Sequence, residues 1–345
     1  MQSQLQSGLH VFQLKNFNLE TLTIKSQALK GNPWNDSVVR HNPVLAPKSK
    51  PPRDGYPVVL VLAGFTGNGP KYFGLRTFEA NFPQELDQCV SENRAPLALY
   101  VFVDAMTFWG GSQFLNSDGM GRYEDYVVKE LCQAISEKYP AEQLGKRWCV
   151  MGGSSGGYGA LHLASKYPEK FSTMAAVAPD SFFSMSLLPE FYVATPTLQS
   201  FGGLSAIKKS LSEGEFHQRR DAHSTLNAIA MGLCYVPRPG KSSEPLWPID
   251  KESGELITSV WKKYLSHDPI FFLKNRRKKV AKIKNIYLDV GAFDQFHLQF
   301  GTRQIRETLV NQGLKIAYSE FKGNHFDIGS RRPPIWSWLK KVWKK

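Results

Sequence analysis

Between Val150 and Leu161 the chain reads Val150-Met151-Gly152-Gly153-Ser154-Ser155-Gly156-Gly157-Tyr158-Gly159-Ala160-Leu161, a stretch that few folds can accommodate. An apolar run from Trp148 enters it and a small-residue pattern, Ala160-Leu161-His162-Leu163-Ala164, leaves it, which reads as strand, turn and helix. In a G-x-S-x-G turn the serine takes a strained backbone conformation. The residues two before and two after it must lack a Cβ, or strand and helix collide. Gly152 and Gly156 meet that demand around Ser154; Gly153 and Gly157 meet it equally around Ser155, so the motif leaves two candidate nucleophiles. With Ser154 in that role, the amide of Ser155 sits at the helix N-terminus, where aligned peptide dipoles favour a developing oxyanion. A phosphate-binding loop is the rival reading, but it would want a lysine where Tyr158 stands.

With 345 residues, 42% of them hydrophobic and 21% charged, the chain can bury a sizeable core, and wholesale disorder is excluded. No apolar run reaches the length of a membrane span, and Met1 to Gly8 lack the basic start and apolar core of a secretion signal. Cys89, Cys132, Cys149 and Cys234 are widely spaced among apolar neighbours and read as buried reduced thiols, so the expected location is the cytoplasm. A net charge of +13 raises nucleic acid or anionic lipid as partners. Its main runs are Lys274 to Lys284, with no aromatic, and Lys340 to Lys345, with Trp343 alone; neither is set in a recognisable nucleic-acid module, both read as solvated helix faces, and no nucleic-acid partner is expected. A homo-oligomer is compatible with this composition.

Strand-like alternation in His10 to Leu14 and Leu19 to Ile24 is followed by an extended piece from Val38 to Leu45. Pro57 to Ala63 and Leu97 to Asp104 are apolar on nearly every residue, as in central parallel strands covered on both faces. The loop after the first of them, Gly64 to Gly69, leaves the carboxyl end of a central strand, where open α/β sheets place their ligands, and the backbone amide of Phe65 is the candidate second oxyanion donor. Met106 to Ser117 mixes aromatic and amide side chains at the same sheet edge. Gln113 and Asn116 in that loop are candidate pocket residues, with Tyr158 after the elbow and His297 near the end of the chain. Apolar positions from Arg122 to Tyr139 recur at helical spacing, and Phe171 to Ala178 is another strand. From 181 to 268 the alternation is lost, and a partly helical insertion is expected, a lid or pocket wall on a single domain spanning 1–345. Strands return at Asn285 to Gly291 and Leu314 to Phe321, and Pro333-Pro334 opens a last amphipathic helix. This βαβα order predicts an α/β fold with a mostly parallel sheet and helices on both faces.

Acyl transfer from an ester needs a nucleophile, a base for its proton and an acid to orient that base. On such a sheet the order along the chain is serine, acid, histidine, the last two in loops beyond late strands. Asp294 and His325 fit, each after a glycine that permits a tight turn. Asp180, after the strand that follows the elbow, is the serious competitor for the acid. Asp289 lies inside a strand, Asp327 is too local to His325, and His162 on the elbow helix reads as packed. There is no H-E-x-x-H or Cys/His ligand spacing for a metal and no G-x-G-x-x-G behind the first central strand, so neither metal nor cofactor is expected.

The elbow Gly152-Gly153-Ser154-Ser155-Gly156-Gly157-Tyr158-Gly159-Ala160-Leu161 resembles the G-x-S-x-G-G-x-G-A-L pattern of the esterase family of the α/β-hydrolase fold that includes enterochelin esterase, esterase D (S-formylglutathione hydrolase) and feruloyl esterases. Further similarity runs through Pro57 to Gly67, Gly111 to Ser117, Arg122 to Tyr126, Asp289 to Asp294 and Glu320 to His325. The resemblance settles the frame on Ser154. It implies Asp294 as the acid, His325 as the base, and the amides of Phe65 and Ser155 as the oxyanion hole of a cofactor-independent serine esterase acting on a small-molecule ester or thioester. An acyltransferase using the same acyl-enzyme, or a non-catalytic binding protein on this fold, are the alternative readings.

Overall fold

The strand-forming runs join in one eight-stranded sheet. In the computed structural model, which describes residues 13–75 and 77–344, these are β1 Phe17–Lys25, β2 Val39–Pro47, β3 Val58–Leu62, β4 Leu99–Phe102, β5 Trp148–Gly153, β6 Thr173–Val177, β7 Asn285–Gly291 and β8 Ile316–Phe321. Across the sheet they lie in the order β1-β2-β4-β3-β5-β6-β7-β8. The β1/β2 and β2/β4 pairs are antiparallel and every pair from β4 to β8 is parallel. The all-apolar runs are the interior strands: every residue of β3, β4 and β6 is buried. Of the strand expected at His10 to Leu14, His10 to Phe12 lie outside the described residues, and Gln13 and Leu14 precede β1.

Side-chain alternation along β3 builds both faces at once. Val58, Leu60 and Leu62 pack on the side of helices α2 Ser155–Lys166 and α3 Leu298–Asn311. Val59 and Val61 pack on the other side, under α1 Phe82–Ser91 and α4 Arg332–Trp343. The helix expected over 122–139 forms, but its middle, Tyr126–Leu131, is π-helical, and Tyr126, Val127, Val128 and Leu131 of that segment are buried.

Between β6 and β7 the irregular stretch folds into helices Phe183–Ser186, Leu188–Ser200, Leu204–Ser212, Ala222–Tyr235 and Thr258–Leu265, with a short ribbon of Pro237–Arg238 and Lys241–Pro245. Its Phe183, Phe191, Ile207, Ile229 and Tyr264 share one buried cluster with β3 and α2. A single carboxylate ties its two ends: buried Asp268 accepts the amides of Phe182 (3.2 Å), Phe183 (2.7 Å) and Ile270 (3.0 Å). All four cysteines are free and buried, and burial pushes the Cys132 thiol up to about 12. Among the described residues no helix is long and apolar enough to cross a membrane.

Within the basic run Lys274, Arg277, Lys278, Lys279, Lys282 and Lys284 are exposed, as a solvated face requires, and Arg276 alone departs from it. Arg276 reaches inward, donating to Ser165 Oγ at 2.9 Å and to the His162 carbonyl at 3.3 Å, with its guanidinium 4.3 Å from the centre of the Phe272 ring. It lies beside a buried polar cluster in which Glu124 takes His162 Nε2 at 2.7 Å and Lys166 Nζ at 2.6 Å, together with the Tyr167 hydroxyl. Burial opposes ionisation of Glu124, but the hydrogen bonds from His162, Lys166 and Tyr167 outweigh it and hold the carboxyl down to about 2. Burial, with the positive charges of Arg276 and Lys166, pushes His162 down to about 4 against the pull of Glu124, and burial pushes His267 down to about 4 as well.

Both imidazoles are thus protonated more readily in the unfolded chain. Their contribution to stability is complete above 6.5, the ordinary histidine value, and is lost as pH falls from there toward 4; Glu124 adds its own loss below 4.5. Denaturant titrations should show the folding free energy declining over that window, with a shallower slope in the His162→Gln/His267→Gln double variant. Backbone closeness gives a second expectation. A β-carbon on Gly156 would stand 2.4 Å from the Leu62 carbonyl oxygen, whereas one on Gly74 would meet only the Lys71 carbonyl, at 3.7 Å. Gly156→Ala should cost about 2 kcal/mol or more in thermal or chemical denaturation, and Gly74→Ala about 0.5 kcal/mol or less.

Candidate active site

The turn from β5 into α2 is tight because two backbones touch across it. Gly152 could carry a β-carbon only by placing it 2.5 Å from the carbonyl of Gly156 and 2.8 Å from that of Leu62. At Gly153 and Gly157 the nearest atoms would be the Ile328 side chain (2.9 Å) and Pro179 (3.1 Å) instead. The strand–helix collision therefore centres on Ser154, held at φ +57° and ψ −128° with its amide bonded to the Val177 carbonyl at 3.0 Å. Ser155 is the first residue of the helix, and its Oγ donates to Asp180 at 2.7 Å.

Loops from the ends of β7 and β8 meet Ser154. His325 Nε2 lies 3.0 Å from Ser154 Oγ, and His325 Nδ1 lies 2.7 Å from Asp294 Oδ2. Asp294 is 2% exposed, and its other oxygen accepts the Phe296 amide at 2.9 Å, so the carboxylate is fixed from both sides. The His325 amide donates to Gln295 Oε1 at 3.0 Å, and the imidazole packs edge-on to the Phe296 ring at 4.8 Å. The two loops can close because Gly291 has no side chain: a β-carbon there would sit 2.7 Å from the Gly323 carbonyl oxygen. A hydroxyl, an imidazole and a carboxylate in such a line can move one proton from oxygen to nitrogen while the carboxylate stabilises the imidazolium.

The other acids have different work. Asp289 Oδ2 is held by Arg331 Nε at 2.7 Å and the Tyr287 hydroxyl at 2.8 Å, and Asp327 caps the Asn324 amide at 2.8 Å. Asp180 does not touch the imidazole side of the line. Its Oδ1 accepts from Ser154 Oγ at 3.2 Å, and its Oδ2 from Ser155 Oγ and from Gln113 Nε2 at 3.0 Å. Because a hydroxyl has one hydrogen, Ser154 can donate to His325 or to Asp180 but not to both at once. Among the histidines, His162 is buried in the Glu124 cluster.

Of the expected pocket residues, Gln113 is buried near the elbow, bonded to Asp180 and to the Tyr235 hydroxyl at 2.9 Å. It does not line the cleft beside Ser154 itself, and the other three also stand elsewhere. Tyr158 is fully buried, because its position on α2 turns the ring under Tyr235 at 5.5 Å, away from the cleft. Asn116 uses its Oδ1 to accept the Asp125 amide at 3.0 Å, which commits it to the turn before the π-helical segment. His297 caps α3 at φ +62°, exposed and facing Phe300.

Ser154 and His325 open into a cleft of about 1010 Å³. Phe65 lies on its wall, one residue from Gly64, whose hydrogen faces Ser154: a β-carbon there would be 3.4 Å from Ser154 Cβ. The amides of Phe65 and Ser155, both residues of the cleft wall, have no acceptor among the described residues. Aromatic rings continue along one wall from Phe65 to His223 (5.7 Å), from His223 to Phe296 (5.9 Å) and from Phe296 to His325. The irregular segment adds Phe183, Met231 and Tyr235. His223 and Phe296 were not legible as pocket residues, since no local pattern distinguishes a lone ring that meets its neighbours only through long-range packing. Among the described residues no group of three or more His, Cys, Asp or Glu could hold a metal ion.

Comparison with known proteins agrees with this architecture. An S-formylglutathione hydrolase of Bos taurus is 41% identical over 58 residues, which span 17% of this chain and 20% of that enzyme. A ferulic acid esterase superposes with a TM-score of 0.58 at 16% identity, covering 95% of this chain and 99% of the other. An S-formylglutathione hydrolase from Agrobacterium tumefaciens does so with 0.53 at 17% identity, covering 94% and 95%. At those identities the two structures speak for the fold, an α/β hydrolase. A family model described as "Putative esterase" matches residues 40–329, most of the sheet and every loop that meets Ser154, and the chain belongs to that esterase family.

Proposed function

We propose that the protein hydrolyses carboxylic esters or thioesters of small molecules through an acyl-enzyme on Ser154. The observation that carries this reading is the hydrogen-bonded line from Ser154 Oγ through the His325 ring to Asp294, at 3.0 and 2.7 Å. His325 Nε2 takes the serine proton as Oγ bonds to the ester carbonyl carbon, and Asp294 stabilises the imidazolium through Nδ1. The carbonyl oxygen gains the negative charge between the amides of Phe65 and Ser155. As the carbon–oxygen bond to the alcohol breaks, Nε2 returns its proton to the leaving oxygen. Water then repeats the sequence on the acyl-enzyme, releasing the acid and restoring the serine hydroxyl.

In this reading the segment 181–268 is a pocket wall on a single domain, since its core is shared with the sheet and its ends are clamped by Asp268. Four buried free thiols favour a reducing compartment such as the cytoplasm.

Turnover of a short acyl phenyl ester tests the assignment. Ser154→Ala and His325→Ala should each lose about a millionfold in kcat, and Asp294→Ala about ten-thousandfold, as in triads dissected elsewhere. A fluorophosphonate should label the wild type and not Ser154→Ala; full activity in Ser154→Ala would remove the nucleophile from the scheme. Ser155→Ala leaves the backbone amide in place and should retain labelling, which separates the two frames of the motif.

A further inference from the structure

The carboxylate of Asp180 takes no part in the steps above, yet its Oδ1 stands 3.2 Å from Ser154 Oγ. Its donors, Ser154 Oγ, Ser155 Oγ and Gln113 Nε2, are all neutral, and Asp180 enters no ion pair within 4.0 Å among the described residues. Gln113 is itself 1% exposed and held by Tyr235, so the carboxylate is anchored rather than free to swing into solvent. Asp180 is nevertheless partly exposed, and it lines the cleft. A fixed negative charge so near an oxygen that becomes an alkoxide opposes the reaction, unless the substrate brings a positive charge or a strong donor to meet it.

Resting on the assignment of Ser154 as nucleophile, we propose that Asp180 is a specificity-determining residue that selects esters whose acyl group carries an ammonium, or more weakly a hydroxyl, on the carbon next to the reacting carbonyl. The leaving alcohol must face His325 Nε2 to receive its proton, which leaves the Asp180 side of Ser154 to the acyl group. A substituent on the carbon adjoining the carbonyl is three bonds from Oγ once the acyl-enzyme forms, within hydrogen-bond reach of an acceptor that itself neighbours Oγ. The same charge disfavours acyl groups bearing a carboxylate, by like-charge repulsion in a partly desolvated site.

The test compares kcat/KM for phenyl esters of alanine, lactate, isobutyrate and succinate in the wild type and in Asp180→Asn, with fluorophosphonate labelling run alongside. The alanyl and isobutyryl groups have nearly the same shape and differ in charge. The wild type should favour alanyl over isobutyryl by about tenfold or more, with lactoyl between and succinyl last, and Asp180→Asn should erase most of that ratio. Raising pH through deprotonation of the substrate amine removes the ammonium's inductive activation of the carbonyl in both proteins, so the alanyl-to-isobutyryl ratio should fall in both but about tenfold further in the wild type than in Asp180→Asn, a difference that a purely structural role would not produce. With labelling intact, equal ratios in the two proteins, or a uniform loss on all four esters in Asp180→Asn, would overturn the proposal. So would a preference that follows a charge on the alcohol, read with a choline ester. Absence of both labelling and turnover in the wild type would instead overturn the esterase assignment and this inference with it.

Discussion

The carbonyl oxygen of Leu62, at the end of the central strand β3, is where the elbow meets the sheet, 2.4 Å from where a β-carbon on Gly156 would be. That contact lets α2 start directly over the strand ends, and it sets Ser154 at a positive φ that an ordinary serine avoids. Such a conformation costs on the order of 1–3 kcal/mol and survives only where surrounding packing leaves no alternative. Here the packing is that of the most buried part of the molecule: β3 on one side, β6 on the other, and a helix whose Ala160, Leu161, Leu163 and Ala164 are fully buried. The rigidity is useful because a hydroxyl held in one place spares the reaction the entropy of finding it.

The acids around this elbow illustrate how one fold assigns different work to identical side chains. Asp294 is enclosed, faces the imidazole and takes a backbone amide on its other oxygen. Asp289, inside β7, spends its charge on Arg331 and the Tyr287 hydroxyl instead. Asp180 is the exception, a carboxylate whose neighbours, Ser154, Ser155 and Gln113, are all neutral. Charge without a partner in a cleft points outward to what the cleft holds, whereas charge paired within the chain serves the fold.

The segment between β6 and β7 shows the same division between fold and site. Its Phe191, Ile207 and Tyr264 join the sheet's own buried cluster, while Met231 and Tyr235 on one helix reach the cleft. Asp268, accepting three backbone amides, brings the segment's beginning and end together and so fixes where that helix lies over the strand ends. Cleft shape therefore depends on a carboxylate that never touches it.

Much of this was readable along the chain. All-apolar runs marked the interior strands, since a strand covered on both faces has no polar side to show, and the glycines around Ser154 marked the elbow, since only a missing β-carbon permits the crossing. The order of Ser154, Asp294 and His325 singled out three residues that the structure brings within hydrogen-bond distance. Left undecided was everything that depends on direction across space. Tyr158 and Asn116 turn away from the cleft because helix phase and a local hydrogen bond commit them elsewhere, and Arg276, in a run that looked like a solvated face, folds inward to His162. The pairing of Asp180 with Ser154 joins residues 26 positions apart, and the ring contact of His223 with Phe65 a far longer separation. Local pattern determines which backbone conformations are cheap and which faces must be covered, so it determined the sheet and the elbow; which side chains share the cleft follows from how the covered faces stack, and only the tertiary structure decided that.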